Sequence, residues 1–327
     1  MDWSTKSVLV TGGTGSFGRR FVEVLLEKKR PKKLIVFSRD ELKQHEMRQQ
    51  FPDPRDSPMR YFLGDVRDRD RLARAFDGVD VVVHAAALKQ VPACEYNPFE
   101  AVLTNVMGAK NVIDAAIDAG VDRVLAVSTD KAVNPVNLYG ATKLVAEKLF
   151  VQGNAYSGDH KSRFACSRYG NVIGSRGSVV PLFMEQRRNG RITITDPAMT
   201  RFWITREQGV QFVIRCIEAM QGGEIFVPKI PSMRLGDLAE LLAADCQREI
   251  IGIRAGEKMH ELLLGAEESR GALEFEDMYV IPPPSDWIEY RGLPDAKPVG
   301  ETFVYSSETN SHWLTAEEFE ALLEDRV

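Results

Sequence analysis

The chain has 327 residues, 44% of them hydrophobic and 27% charged, with a net charge of -5. That is ordinary soluble globular composition, long enough for about two domains of core, and it gives no reason to expect nucleic acid or an anionic membrane as partner. Cys94, Cys166, Cys216 and Cys246 lie far apart without Cys-x-x-Cys spacing, so neither a zinc site nor a disulfide framework is indicated, and no metal is expected. No basic segment followed by a long apolar run opens the chain and no run is long enough to span a bilayer, so a cytoplasmic location is expected.

Short apolar runs alternate with longer helical patterns through the first half. Strands are predicted at 7–10, 34–37, 61–63, 79–84 and 124–128, and helices at 17–28, 40–51, 70–76 and 98–119. A helix over 139–151 and a strand over 164–169 follow. This alternation predicts an α/β fold built on a doubly wound parallel sheet, with ligands outside the carboxyl ends of its strands. In the second half, 175–177 and 193–201 read as loops, 207–220 and 237–246 as helices, and 224–227 and 250–253 as strands. After Pro282 the chain is loop-rich and ends in a helix at 315–323. The expected division is a dinucleotide-binding Rossmann domain over 1–170 and, over 171–327, mainly a smaller C-terminal α/β substrate lobe, with some later segments returning to the first.

The segment T-G-G-T-G-S-F-G follows the first strand and opens a helix. Gly12, Gly15 and Gly18 allow the tight turn, the backbone's approach to a pyrophosphate and close helix–sheet packing; Thr14, Ser16 and Phe17 complete the loop. At the tip of the second strand stands Ser38, followed by Arg39 and, one turn on, Lys43. A hydroxyl and two cations suit a ribose 2′-phosphate, so NADP is favoured, while Asp40 leaves NAD open. Asp65, with Val66 in G-D-V, could hold the adenine. Ala85 follows the fourth strand where the cofactor must pass closely, and Lys89 could reach either the ribose, the nicotinamide side or the substrate. His84 reads as a packed strand-end residue.

Tyr139 and Lys143 stand four apart, on one face of a helix. A lysine ammonium there can lower the phenol's pKa, letting the phenolate take a proton from a sugar hydroxyl. Thr129 could bond the same hydroxyl. Asp130-Lys131, between that strand end and the Tyr139 helix, suggests acid/base work beyond hydride transfer. Asn171 could donate to a diphosphate, and Arg176, Arg201 and Arg254 could supply its countercharge.

Together these segments resemble the extended short-chain dehydrogenase/reductases. The nearest resemblance is to the inverting UDP-N-acetylglucosamine 4,6-dehydratases that begin pseudaminic acid biosynthesis, and it spans nearly the whole chain. S-T-D-K-A, N-L-Y-G-A-T-K, R-Y-G-N-V-I-G-S-R-G-S-V-V-P, I-T-D-P-A-M-T-R-F-W-I-T and I-G-I-R-A-G-E-K-M-H-E carry it. The resemblance implies that Tyr139, aided by Lys143 and Thr129, removes the C4 hydroxyl proton as hydride leaves for NADP. It implies that Lys131, helped by Asp130, removes the C5 proton and assists loss of the C6 hydroxyl, its pKa lowered by desolvation and neighbouring cations. Hydride then returns to C6 and a proton to the opposite face of C5. It further implies UDP-N-acetylglucosamine as substrate, with Lys89, Asn171, Arg176, Val179, Thr193, Arg201, Arg254 and Glu257 around it, and a homo-oligomeric assembly. Ala255 stands where relatives carry Pro. The rival readings are a UDP-sugar C4-epimerase and a non-catalytic NADP-binding regulator; the presence of both Tyr139 and Lys143 argues against the second.

Overall fold

The computed structural model describes residues 1–158, 160–175, 177–283 and 287–324. Its centre is a sheet in which β1 (Ser7–Thr11), β2 (Lys33–Ser38), β3 (Met59–Leu63), β4 (Val81–His84), β5 (Arg123–Val127) and β6 (Arg163–Ser167) run parallel in the order β6-β5-β4-β1-β2-β3. The strand order reverses between β1 and β4, which opens a crevice at the carboxyl ends. The inner strands β1, β2 and β4 are rich in Val, Ile and Leu and almost entirely buried, as a helix-covered parallel sheet requires, while the edge strand β3 is only partly buried. Val8 and Val10 pack into one core and Leu9 into the other, following the two-residue alternation of a strand.

The second half contributes β7 (Asn171–Val172), β8 (Arg191–Ile194), β9 (Thr200–Ile204), β10 (Ile225–Pro228), β11 (Ser232–Arg234), β12 (Gln247–Ile250) and β13 (Leu262–Leu264). Then follow β14 (Leu273–Glu274), β15 (Met278–Ile281), β16 (Lys297–Pro298) and β17 (Tyr305–Ser306). β10 joins β6 in parallel, and β15, β14 and β16 extend that edge antiparallel. β9 lies between β7 and β11, β8 pairs with β12, and β13 with β17. A separate core gathers Phe183, Ile192, Trp203, Leu238 and Phe319, with Trp203 and Phe319 meeting edge to face at 5.3 Å.

Three second-half expectations need correction. The segment 193–201 is not one loop, because its ends belong to β8 and β9. The strand expected at 250–253 is β12, three residues earlier, because pairing with β8 sets its register from Gln247 opposite Arg191 to Ile250 opposite Ile194. Ile250, Ile251 and Ile253 are exposed, so the apolar run does not mark a buried strand. The helix Val179–Arg187 was not foreseen; Pro181 lies in its first turn, where a missing N–H costs no hydrogen bond.

Candidate active site

The cofactor end is built by backbone. Gly12 turns with φ +65°, and a Cβ there would lie 2.9 Å from the Ala86 backbone. A Cβ on Gly18 would stand 2.4 Å from Gly13, so the helix Ser16–Val24 seats directly on the loop. Gly15 caps that helix without a side-chain bond, leaving its first N–H groups open to an anion. At the tip of β2, buried Ser38 accepts from the Thr14 hydroxyl at 3.2 Å. Asp40 caps the helix Glu41–Gln50 by accepting from the Lys43 N–H at 3.0 Å, and its other oxygen pairs with the Lys43 ammonium. Arg39 reaches toward Asp65 at 3.6 Å, while Asp65 is held chiefly by Arg67 at 2.7 Å. Burial pushes the Asp65 carboxyl up, but its bonds to Arg67 bring it below the ordinary range. His84 lies buried at the end of β4, its Nδ1 2.9 Å from the Thr11 hydroxyl, and burial with the Lys143 charge pushes it down to about 3. It is a neutral packed side chain. The glycine cradle, the open helix terminus and the polar tip of β2 fit a dinucleotide.

The other end is organised by the turn that follows β5. Thr129 caps the 3₁₀ turn Asp130–Ala132, and its hydroxyl donates to Asp130 Oδ1 at 2.8 Å. Asn137 caps the helix Leu138–Tyr156 through the Gly140 N–H at 2.7 Å. That helix starts hard against the turn: a Cβ on Gly140 would sit 2.2 Å from the Lys131 carbonyl oxygen. Tyr139 and Lys143 are thereby brought beside Thr129, Asp130 and Lys131.

Two electrostatic expectations are corrected. The Lys143 ammonium donates to the Val127 carbonyl at 2.8 Å, and burial lowers its pKa. The groups that act on the Tyr139 phenol to lower its pKa are the Lys131 charge and the Thr129 hydroxyl, and burial outweighs both, pushing it up to about 12. Lys131 is not lowered. Burial works against its charge, yet Asp130 Oδ1 at 3.0 Å and Glu261 Oε1 at 3.4 Å hold the ammonium above its ordinary range.

All the sequence-predicted site residues except Arg176, which lies outside the described residues, line one cavity of about 850 Å³. Lys89, Asn171, Val179, Thr193, Arg201, Arg254 and Glu257 line the same cavity as the glycine loop. Thr193 accepts from Gln186 at 2.9 Å, and Arg254 pairs with Glu257 at 3.8 Å. Arg201 is heavily committed: it donates to the carbonyls of Thr200, Lys258 and Met259. Sequence reasoning missed Glu261, 3% exposed on the cavity wall beside Lys131. Its only signal was the E-K-M-H-E string at 257–261. Among the described residues no group of three or more His, Cys, Asp or Glu is placed to hold a metal ion.

Residues 8–283 match the family described as polysaccharide biosynthesis protein. The UDP-N-acetylglucosamine 4,6-dehydratase (inverting) of Campylobacter jejuni serotype O:2 is 51% identical over 325 residues, covering 97% of this chain and 96% of that protein. A UDP-glucose 4-epimerase of Rickettsia massiliae is 43% identical over 285 residues, covering 85% and 83%. Among solved structures, Pen from Bacillus thuringiensis superimposes with a TM-score of 0.92 at 40% identity, covering 100% of this chain and 99% of that one. DesIV from Streptomyces venezuelae, a dTDP-glucose 4,6-dehydratase solved with NAD, gives 0.67 at 25% identity, covering 77% and 86%. The cradle and these neighbours together support a nicotinamide cofactor. The chain belongs to the polysaccharide biosynthesis protein family, among the extended short-chain dehydrogenase/reductases and beside the inverting UDP-N-acetylglucosamine 4,6-dehydratases.

Proposed function

We propose that this protein is a C5-inverting UDP-N-acetylglucosamine 4,6-dehydratase, a lyase that makes UDP-2-acetamido-2,6-dideoxy-β-L-arabino-hex-4-ulose, the first step of pseudaminic acid biosynthesis. The observation that carries the reading is the Asp130–Lys131 ion pair, at 3.0 Å, lining the same cavity as Tyr139. A C4-epimerase needs the phenol but no second acid/base centre, so the pair favours the dehydratase over that reading.

Tyr139 takes the C4 hydroxyl proton, with Thr129 sharing the hydroxyl and Lys143 holding the end of β5 in place. When bound, the nicotinamide supplies a hydride acceptor for C4 and later a hydride donor for C6. Oxidation at C4 acidifies the C5–H bond. The Asp130–Lys131 pair takes that proton and gives one to the C6 hydroxyl, whose C–O electron pair leaves with oxygen as water. The pair is treated as one proton-holding unit, since strongly coupled groups titrate together. A proton from solvent delivered to the opposite face of C5 inverts that centre, and Tyr139 releases to solvent the proton it took from the C4 hydroxyl.

Ser38, Arg39 and Lys43 support NADP as the cofactor, and Asp40, already engaged as a helix cap, is the weaker support for NAD. Lys89, Asn171, Arg176, Arg201 and Arg254 are assigned to the nucleotide diphosphate, with Val179, Thr193 and Glu257 around the sugar and base. Exposed Phe99, Leu103 and Met107 on the helical turns of 98–107, with exposed Tyr96 at the end of the preceding short helix, support a homo-oligomer. Among the described residues no helix is long and apolar enough to cross a membrane, and the cytoplasm is the compartment assigned. Incubation with UDP-N-acetylglucosamine tests the reading: the product must be one water lighter by mass spectrometry. A product of unchanged mass contradicts it.

A further inference from the structure

We propose that Glu261 is a positioning residue for the elimination: with Asp130 it clamps the Lys131 amino group, so that the acid/base unit is a triad of two carboxylates and one ammonium. The inference deepens the dehydratase reading and rests on it.

Three observations carry it. Lys131 Nζ lies between Asp130 Oδ1 at 3.0 Å and Glu261 Oε1 at 3.4 Å. Asp130 and Glu261 are 1% and 3% exposed, and Asp130 Oδ2 and Glu261 Oε2 are buried with no hydrogen-bond partner. Buried carboxylate oxygens left unbonded are costly, so a site that keeps two of them on a ligand cavity has a use for them. Glu261 is also rigidly held. Its N–H donates to the Ser307 hydroxyl and its carbonyl accepts from the Ser307 N–H, each at 2.9 Å.

The charged and titratable groups around Lys131 come from every neighbouring element. Asp130 shares its turn, Glu261 and Lys258 lie on the approach to β13, Arg201 is on β9, Lys89 follows β4 and Tyr139 starts the next helix. Lys258 Nζ and Arg201 Nε each stand at 3.9 Å from the Glu261 carboxylate. The three cations besides Lys131 would push its proton off; the two carboxylates hold it on. Removing one carboxylate changes the unit from net −1 to neutral, so Lys131 loses its proton at lower pH.

The test compares wild type with Glu261→Gln, a neutral isostere, across pH. The expected result is kcat lowered about 10–100-fold, KM changed little, and the alkaline limb of the kcat profile moved down by about 1–3 pH units. Glu261→Asp, which keeps the charge one methylene back, recovers most of the alkaline limb. A uniform loss of kcat with the limb unmoved assigns Glu261 to packing alone and overturns the inference. If Glu261→Gln does not fold, Glu261→Met is read in its place: an alkaline limb moved down supports the triad, and an unmoved limb overturns it. Failure of wild type to release water from the sugar nucleotide contradicts the dehydratase reading instead, so the two failures are distinguishable.

Discussion

Arg168 and Glu147 form a fully buried pair, with Nε and Nη2 of the arginine donating to the two carboxylate oxygens at 2.9 and 2.7 Å. The same guanidinium donates to both oxygens of Glu268, at 2.8 and 2.7 Å, and to the Leu263 carbonyl. Glu147 belongs to the Tyr139 helix, and Leu263 and Glu268 follow Glu261. One buried cation thus ties the two halves of the reaction centre together. Arg168→Met leaves Glu147 buried without its countercharge and is expected to cost about 3–5 kcal/mol of stability in urea unfolding. Adding Glu147→Leu recovers part of that loss, because it removes the more buried of the two carboxylates while Glu268 stays without its countercharge.

Gly140→Ala separates oxidation from elimination. Its Cβ would meet the Lys131 carbonyl oxygen at 2.2 Å, so the turn carrying Asp130 and Lys131 must shift while Tyr139 stays on its helix. Water loss is expected to fall by about 100-fold, as for a misplacement near 1 Å. Single-turnover reduction of the cofactor falls much less. Equal losses in both steps contradict the assigned geometry.

The phenol of Tyr139 stands at about 12 in the free protein, held back from rising further by Lys131 and Thr129. A base works in its deprotonated form, so removing a group that lowers its pKa moves the rising limb of the rate to higher pH. Thr129→Val is therefore expected to shift the rising limb of kcat/KM for C4 oxidation upward. An unmoved limb means the Thr129 hydroxyl does not act on the phenol.

Arg39→Ala with Lys43→Ala tests the cofactor assignment. Each charge-assisted bond to a phosphate is worth about 1.5–3 kcal/mol, so NADP affinity by calorimetry falls about 100-fold or more. NAD affinity stays within about threefold. Equal weakening of both cofactors contradicts a 2′-phosphate site at the tip of β2.

The first half of the fold was legible because its signals are local. Buried apolar strands, the glycine loop after Val10 and the Tyr139–Lys143 spacing each lie within a few residues of one another. The second half was less so. β8, β9 and β12 are short, and β12 is fully exposed, so its register comes from pairing with β8 rather than from its own pattern. Asp130-Lys131 could be found from its place between β5 and a helix, but its electrostatics could not. Glu261 joins Asp130 in holding Lys131 charged, and no spacing rule links residues 131 and 261, so far apart in sequence. Likewise, the pairing of Lys143 with the Val127 carbonyl depends on how the helix seats on β5.

The most direct test of the account is the incubation with UDP-N-acetylglucosamine in deuterated water, read by mass spectrometry and by NMR at C5. The account predicts a 4-keto-6-deoxy sugar nucleotide that has lost one water, carries one deuterium at C5 and is inverted there. A C4 epimer of unchanged composition with no deuterium at C5 would contradict it.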